Sequence, residues 1–326
     1  MIHPVVSVAI TTYNQEDYIA QTLDSILSQE TTFDFEIVIG EDLSTDNTLK
    51  IVQEYQKKHP KIIRLLKTDK NYGIELNLLR VIKNCKAKYI AICDGDDYWI
   101  DTKKLQKQVD FLEKHTDYGT VTTLRKDFIQ DENKFVTNQK PFNEPFKTFT
   151  FEDVLLKNPV TPSASLFRNS LMTAYIQLYN KHKELSFNDY NFFIFFANKM
   201  KLAKLKDITI VYRMLPESGS RSVNGKKVWA FRKRFYKAIK FYMDYFNVPK
   251  DLKNKVLYNK AIEFYRFASE SKEEQTCKEL LVIFKTNHDT IRYFLLKYNL
   301  YKLALFVEKV NVRLNYRILK RGSTQI

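Results

Sequence analysis

Short apolar runs alternate with stripes of helical period along residues 5–212. Residues 5–11, 35–39, 62–66, 89–93, 119–123 and 208–212 read as strands, β-branched or nearly continuously apolar, as strands buried on both faces are. Between them Tyr18, Ile19, Leu23, Ile26 and Leu27 recur at helical spacing. The same holds for Leu49, Ile51, Val52 and Tyr55, for Ile74, Leu78, Val81 and Ile82, and for Leu105, Val109 and Leu112. Ser44 and Thr45 supply hydroxyl caps for the second of these helices, and Pro60 ends it. Strand and helix in alternation predict a mainly parallel sheet flanked by helices, an α/β fold.

Residues 128–147 loosen into polar side chains and prolines, which predicts a surface hairpin or loop between two halves of one domain, about 1–125 and 126–225. An aromatic helix over 190–200 follows Asn188 and Asp189. Past a Gly- and Ser-containing stretch at 218–225 the pattern is helical only. Val228, Phe231, Phe235, Ile239, Tyr242 and Phe246 form one stripe, with Arg232, Lys233, Lys237 and Lys240 outside it. Residues 226–326 are therefore a second, helical region.

Charge sharpens that division. The chain carries +15 over 326 residues, yet residues 1–225 hold 30 basic against 29 acidic side chains and residues 226–326 hold 23 against 9. A basic helical region with aromatics such as Trp229 beside residues 232–234 suits an anionic membrane surface, or is simply a solvated bundle packed on the domain. No RNA-binding signature accompanies the charge, so nucleic acid is not an expected partner. Three cysteines, Cys85, Cys93 and Cys277, form no CxxC pair, and no stretch is long enough to span a bilayer. The expected location is cytoplasmic, with peripheral attachment at the inner face of the plasma membrane as an option.

The densest chemistry lies at Asp94, Gly95, Asp96 and Asp97, where the apolar run 89–93 stops at three carboxylates. Side chains two apart in an extended segment share a face, so Asp94 and Asp96 point together and Asp97 away. Paired carboxylates repel unless a cation or proton intervenes, and oxygen ligands of this kind suit Mn²⁺ or Mg²⁺. An acidic turn after a strand is the plainer alternative. The tips of the other parallel strands carry polar residues as well. There Tyr13 can stack on a base, Thr11 and Asp42 can bond its polar edge, and Asp94 can accept from a ribose hydroxyl. Taken singly, Thr11 is also an ordinary strand residue, Tyr13 a half-buried surface residue and Asp42 an Asx turn.

Together these segments resemble the family 2 glycosyltransferases of GT-A fold, of the bacterial cell-surface glycan type. The matching stretches are residues 6–29 (VSVAITTYNQEDYIAQTLDSILSQ), 35–48 (FEIVIGEDLSTDNT), 71–73, 89–99 (YIAICDGDDYW), 161–168 (TPSASLFR), 187–189 (FND) and 211–213 (VYR), in family order over about two-thirds of the chain. The resemblance implies a GT-A catalytic domain over 1–225 with a helical C-terminal extension. It implies inverting transfer of a sugar from a nucleotide sugar, commonly a UDP sugar, to a glycan or lipid-linked acceptor, with Mn²⁺ or Mg²⁺. It assigns Thr11, Tyr13, Glu16 and Asp42 to base and ribose, Asp94 and Asp96 to the DxD metal motif, and Asp189 to the general base. Trp99, Arg168 and Arg213 become candidates for the acceptor or the leaving group. Asp189 has the alternative of a helix cap.

Glu41, Leu43 and Leu215 depart from the family pattern, which often has Asp, Gly and a metal-ligating His at these places. Any metal would then lean on Asp96, the diphosphate and water. Two rivals stand beside the enzyme: a non-catalytic protein of the same fold that binds a nucleotide sugar or an anionic surface, and a nucleotidyltransferase. The second lacks its usual glycine-rich phosphate loop.

Overall fold

The structure is a computed structural model that describes residues 4–137, 139–216, 225–270 and 272–286. The chain divides into two compact units, Met1–Pro216 and Glu217–Ile326. The first opens as β1 (Val6–Thr12), α1 (Ile19–Leu27), β2 (Phe35–Glu41), α2 (Thr48–Lys58), β3 (Ile63–Leu65), α3 (Gly73–Asn84) and β4 (Tyr89–Asp94). It continues as β5 (Tyr98–Trp99), α4 (Lys104–Lys114), β6 (Tyr118–Ile129), β7 (Lys134–Val136), β8 (Phe146–Phe149), α5 (Phe151–Leu156), β9 (Leu166–Arg168), α6 (Asn169–Lys181), α7 (Asp189–Lys199) and β10 (Lys201–Met214).

The sheet order is β3-β2-β1-β4-β9-β6-β10-β5, with β7 on β6 and β8 on β10. From β1 the chain winds outward through β2 and β3, then returns to place β4 on the other side of β1, all four parallel. That reversal makes a crevice at the carboxyl ends of β1 and β4, the place where open α/β sheets bind ligands. Register puts Thr11 level with both Gly40 and Asp94. Val6, Val8 and Ile10 are fully buried and pack with Ile19, Leu23 and Ile26 of α1 and Ile37 and Ile39 of β2. Burial of each such side chain stabilises by about 1.5–3 kcal/mol.

Three local expectations change. Helix α2 starts at Thr48 rather than near Ser44. The Ser44 hydroxyl accepts from the Asn14 N–H instead, while Asp46 Oδ1 accepts from the Thr48 N–H at 2.9 Å. The last strand runs 14 residues, well beyond 208–212, because pairing with β6, β8 and β5 holds a first half whose charged residues hide the strand pattern. The 128–147 segment contains a β6–β7 hairpin.

The second unit comprises α8 (Gly225–Tyr245), α9 (Lys250–Glu270) and α10 (Glu274–Thr286). Tyr236, Ile239, Tyr242 and Met243 of α8 are buried, as are Val256, Phe264 and Tyr265 of α9, whereas Lys237 and Lys240 are exposed. The side chains of Val228, Trp229 and Phe231, and the stretches 217–224 and 287–326, lie outside the described residues.

Candidate active site

Strand β4 ends at Asp94, whose N–H donates to Ser163 Oγ at 3.1 Å; that hydroxyl lies 3.4 Å from Asp94 Oδ2 and donates back to it. The chain then turns tightly, with the Asp97 N–H donating to the Asp94 carbonyl and the Gly95 N–H to the Thr11 carbonyl. Glycine is required in this turn because a Cβ at position 95 would lie 2.3 Å from Gln15 Oε1 and 2.9 Å from Thr12. Thr22 Oγ, reaching across from α1, donates to the carbonyls of Gly95 and Asp97.

The three acids of the turn divide their work. Asp97 is buried and its Oδ1 accepts the Arg213 N–H at 2.9 Å; because residues 94–97 form a tight turn rather than extended chain, it stays near its two acidic neighbours. Burial and the charges of Asp96 and Asp94 hold its carboxyl well above the usual range. Asp94 is pushed up to about 7 by burial, then by the charges of Asp96 and Asp189. Asp96 is raised by burial, and the Arg213 charge opposes the rise. The Asp94 carboxyl thus feels both Asp96 and Asp189, although Asp189 arrives from α7.

Helix α7 delivers Asp189 as its first residue. Its cap is Asn188, whose side chain accepts the Asn191 N–H at 3.0 Å, so capping does not consume Asp189. Aromatic contacts hold the helix: Phe192 and Phe196 meet Phe167 at tilted angles, and Phe192, Phe195 and Phe196 surround Tyr175. Burial raises the Asp189 carboxyl above its ordinary value.

Around the nucleotide crevice, Tyr13 is 46% exposed and Thr11 half-buried. Asp42 uses both oxygens, at 2.8 Å each, to accept the N–H groups of Tyr72 and Gly73, which fixes the turn into α3. Glu16 Oε2 accepts from the N–H and the side-chain amide of Asn47, so its carboxylate serves the start of α2. Glu41 accepts the N–H groups of Leu43 and Ser44 and holds Leu43 at φ 64°, the left-handed region that favours glycine.

Of the three acceptor or leaving-group candidates, Arg213 and Trp99 border the acidic turn and Arg168 does not. Arg168 lies beside Tyr89 at the start of β4, about 16 Å along the strand from Asp94, and donates to the carbonyls of Leu112 and Tyr118. It closes the end of α4 at the opposite sheet edge. Trp99 is 4% exposed, its indole N–H donates to the Ser163 carbonyl at 3.1 Å, and the Lys104 ammonium stands 4.0 Å over its ring. Arg213 is buried between the rings of Tyr18 and Tyr98, at 5.0 and 4.7 Å, and donates to the Asp96 carbonyl and to Gln21. Each is a structural brace whose polar groups are satisfied by protein. Residue type and strand-end position made all three look available; neither reveals partners far along the chain.

Sequence reasoning passed over Tyr212 and Ser163. The Tyr212 phenol is pushed up to about 12 by burial and by the charges of Asp97, Asp94 and Asp96, so it borders the acidic cluster. Among the described residues no group of three His, Cys, Asp or Glu side chains is arranged to hold a metal ion. Asp94 and Asp96 nevertheless fit a hard divalent ion that takes its remaining oxygens from a diphosphate and water: two neighbouring carboxyls raised by burial and repulsion gain most from a cation.

Comparison with known proteins bears on family and fold. The sequence profile of the family described as Glycosyl transferase family 2 matches residues 7–175, more than half of the chain. The chain belongs to that family. An uncharacterized glycosyltransferase of Haemophilus influenzae is 26% identical over 95% of this chain and 98% of its own. TuaG of Bacillus subtilis, named for teichuronic acid biosynthesis, is 35% identical over 33% of this chain and 42% of its own. The chain spans 32% of the length of the mycobacterial relatives it matches at 40% identity. S. aureus TarS residues 1–349, solved with UDP-GlcNAc, has the same fold at a TM-score of 0.54 and 16% identity, covering 86% of this chain and 92% of that one.

Proposed function

We propose that this family member is a glycosyltransferase that inverts the anomeric centre, taking a sugar from a UDP sugar to a hydroxyl of a glycan or lipid-linked acceptor in cell-surface polysaccharide synthesis. The observation that carries the reading is that Asp94, at the end of β4, feels the charges of both Asp96 in the following turn and Asp189 at the start of α7. The name of TuaG and the UDP-GlcNAc bound to TarS support the polysaccharide and the donor.

In this reading Tyr13 stacks on the base, and Thr11 and Asp94 face the ribose at the β1–β4 crevice. Asp94 and Asp96 would hold Mn²⁺ or Mg²⁺, and the bound ion would supply charge neutralisation on the diphosphate side. Asp189 takes the proton of the acceptor hydroxyl, whose oxygen bonds to the anomeric carbon as the bond from that carbon to the nucleoside diphosphate breaks. One base suffices, because inversion needs no carboxylate nucleophile. Its raised proton affinity brings it closer to neutral pH, where a general base works best.

The test is product analysis with calorimetry. Transfer should release UDP, Asp96→Ala should weaken UDP binding in the presence of Mn²⁺, and Asp189→Asn should bind UDP normally yet turn over poorly. Release of pyrophosphate would instead mean nucleotidyl transfer, and full turnover by Asp189→Asn would remove the base.

A further inference from the structure

Two lysines oppose each other across an antiparallel pair: Lys147 of β8 stands level with Lys204 of β10. Like charges in that relation destabilise a sheet. Lys204 is 9% exposed, its ammonium stands 5.9 Å from the centre of the Phe149 ring, and among the described residues no side chain or carbonyl gives that ammonium a hydrogen bond or ion pair. Its ammonium is pushed down to about 8 by burial, then by the charges of Arg125, Lys157 and Lys147. Arg125 Nε lies 2.7 Å from the Asp127 carboxylate, which leaves the charges of two lysines, Lys147 and Lys157, acting on the Lys204 ammonium. Such an arrangement is costly by itself and favourable once an anion enters.

The cluster borders the acidic tip. Arg125 lies 4.3 Å over the Tyr212 ring, whose phenol feels Asp94, Asp96 and Asp97. Its Nη1 donates to Thr161 Oγ at 3.0 Å, two residues before the Ser163 that contacts Asp94. In the sheet, β6 and β10 lie on the far side of β4 from β1 and β2, whose loops carry the nucleotide-site candidates. An anion here would sit on the acceptor side.

We propose that Lys204, with Lys147, Lys157 and Arg125, forms a subsite for a phosphate group carried by the acceptor, an assignment that rests on the glycosyl-transfer reading for the word acceptor. The full chain, free and saturated with UDP and Mn²⁺, is titrated calorimetrically with inorganic phosphate. Phosphate should bind both forms alike. Lys204→Met, which keeps the buried stem, and Lys147→Gln, at an exposed position, should each lower phosphate affinity about tenfold with UDP affinity unchanged. Unchanged phosphate affinity in both variants overturns the subsite. Displacement of phosphate by UDP assigns the cluster to the donor diphosphate and overturns the acceptor role. Failure of UDP to bind the wild type would sink the transfer reading while leaving the phosphate titration to decide the subsite separately.

Discussion

The buried carboxylate of Asp97 accepts the backbone N–H of Arg213 at 2.9 Å, and the Arg213 guanidinium returns a hydrogen bond to the carbonyl of Asp96. Residues 116 apart in sequence thus clamp β10 to the acidic turn. The clamp holds Asp96 at the site without spending a charged side chain on substrate.

Arg213→Lys should therefore lower stability by about 2–3 kcal/mol, because an ammonium cannot reach both Gln21 and the Asp96 carbonyl while lying flat between two tyrosine rings. Urea unfolding of the variant measures the loss. An unchanged midpoint would mean that the clamp contributes nothing.

Asp189→Asn and Asn188→Ala should separate chemistry from capping. The first should reduce kcat by about 10²–10⁴ with little change in stability. The second should lower stability by about 1 kcal/mol through loss of the cap, with kcat largely kept in the folded fraction. Steady-state kinetics beside thermal unfolding reads both.

Lys104 is fully buried beside Trp99, and its ammonium is pushed down from 10.5 to about 7 by burial. Between those values the unfolded chain binds the extra proton, so stability should rise with pH from about 7 toward 10, by on the order of 4 kcal/mol at most. Below pH 7 the full cost is present. Lys104→Met should flatten the slope and stabilise the protein at pH 7; equal slopes in denaturation series at pH 7 and 9 would contradict the assignment.

Leu43→Gly should stabilise by about 1 kcal/mol, since glycine adopts φ 64° without the Cβ clash that leucine carries. Gly95→Ala should do the reverse and weaken UDP binding, because the added methyl meets Gln15 and Thr12 under the turn. Melting temperatures of the two variants should move in opposite directions.

The +14 excess of residues 226–326 leads to a further expectation: sedimentation with anionic vesicles, lost in high salt and absent with neutral vesicles. Equal binding to both vesicle types would remove the membrane role. Among the described residues no helix is long and apolar enough to cross a bilayer.

Periodicity and strand-end composition were enough to read the parallel β1–β4 core, its helices and the acidic tip, because these depend on interactions local to a strand or a helix and on which face is apolar. The closeness of Asp94 and Asp96 comes from the tight turn at Gly95 rather than from the two-residue period of extended chain, and the same turn brings Asp97 near them. Tertiary structure decided which polar groups remain available. Arg168, Trp99 and Arg213 carry the same functional groups whether they meet substrate or a carbonyl, and their partners Leu112, Ser163 and Asp96 lie 56, 64 and 117 residues away. It likewise set Asn188 rather than Asp189 as the cap of α7, and brought Lys204 opposite Lys147 through a strand whose alternating charges conceal it. A hydrogen bond or a desolvated charge is a relation between distant atoms, and only the folded chain fixes that distance.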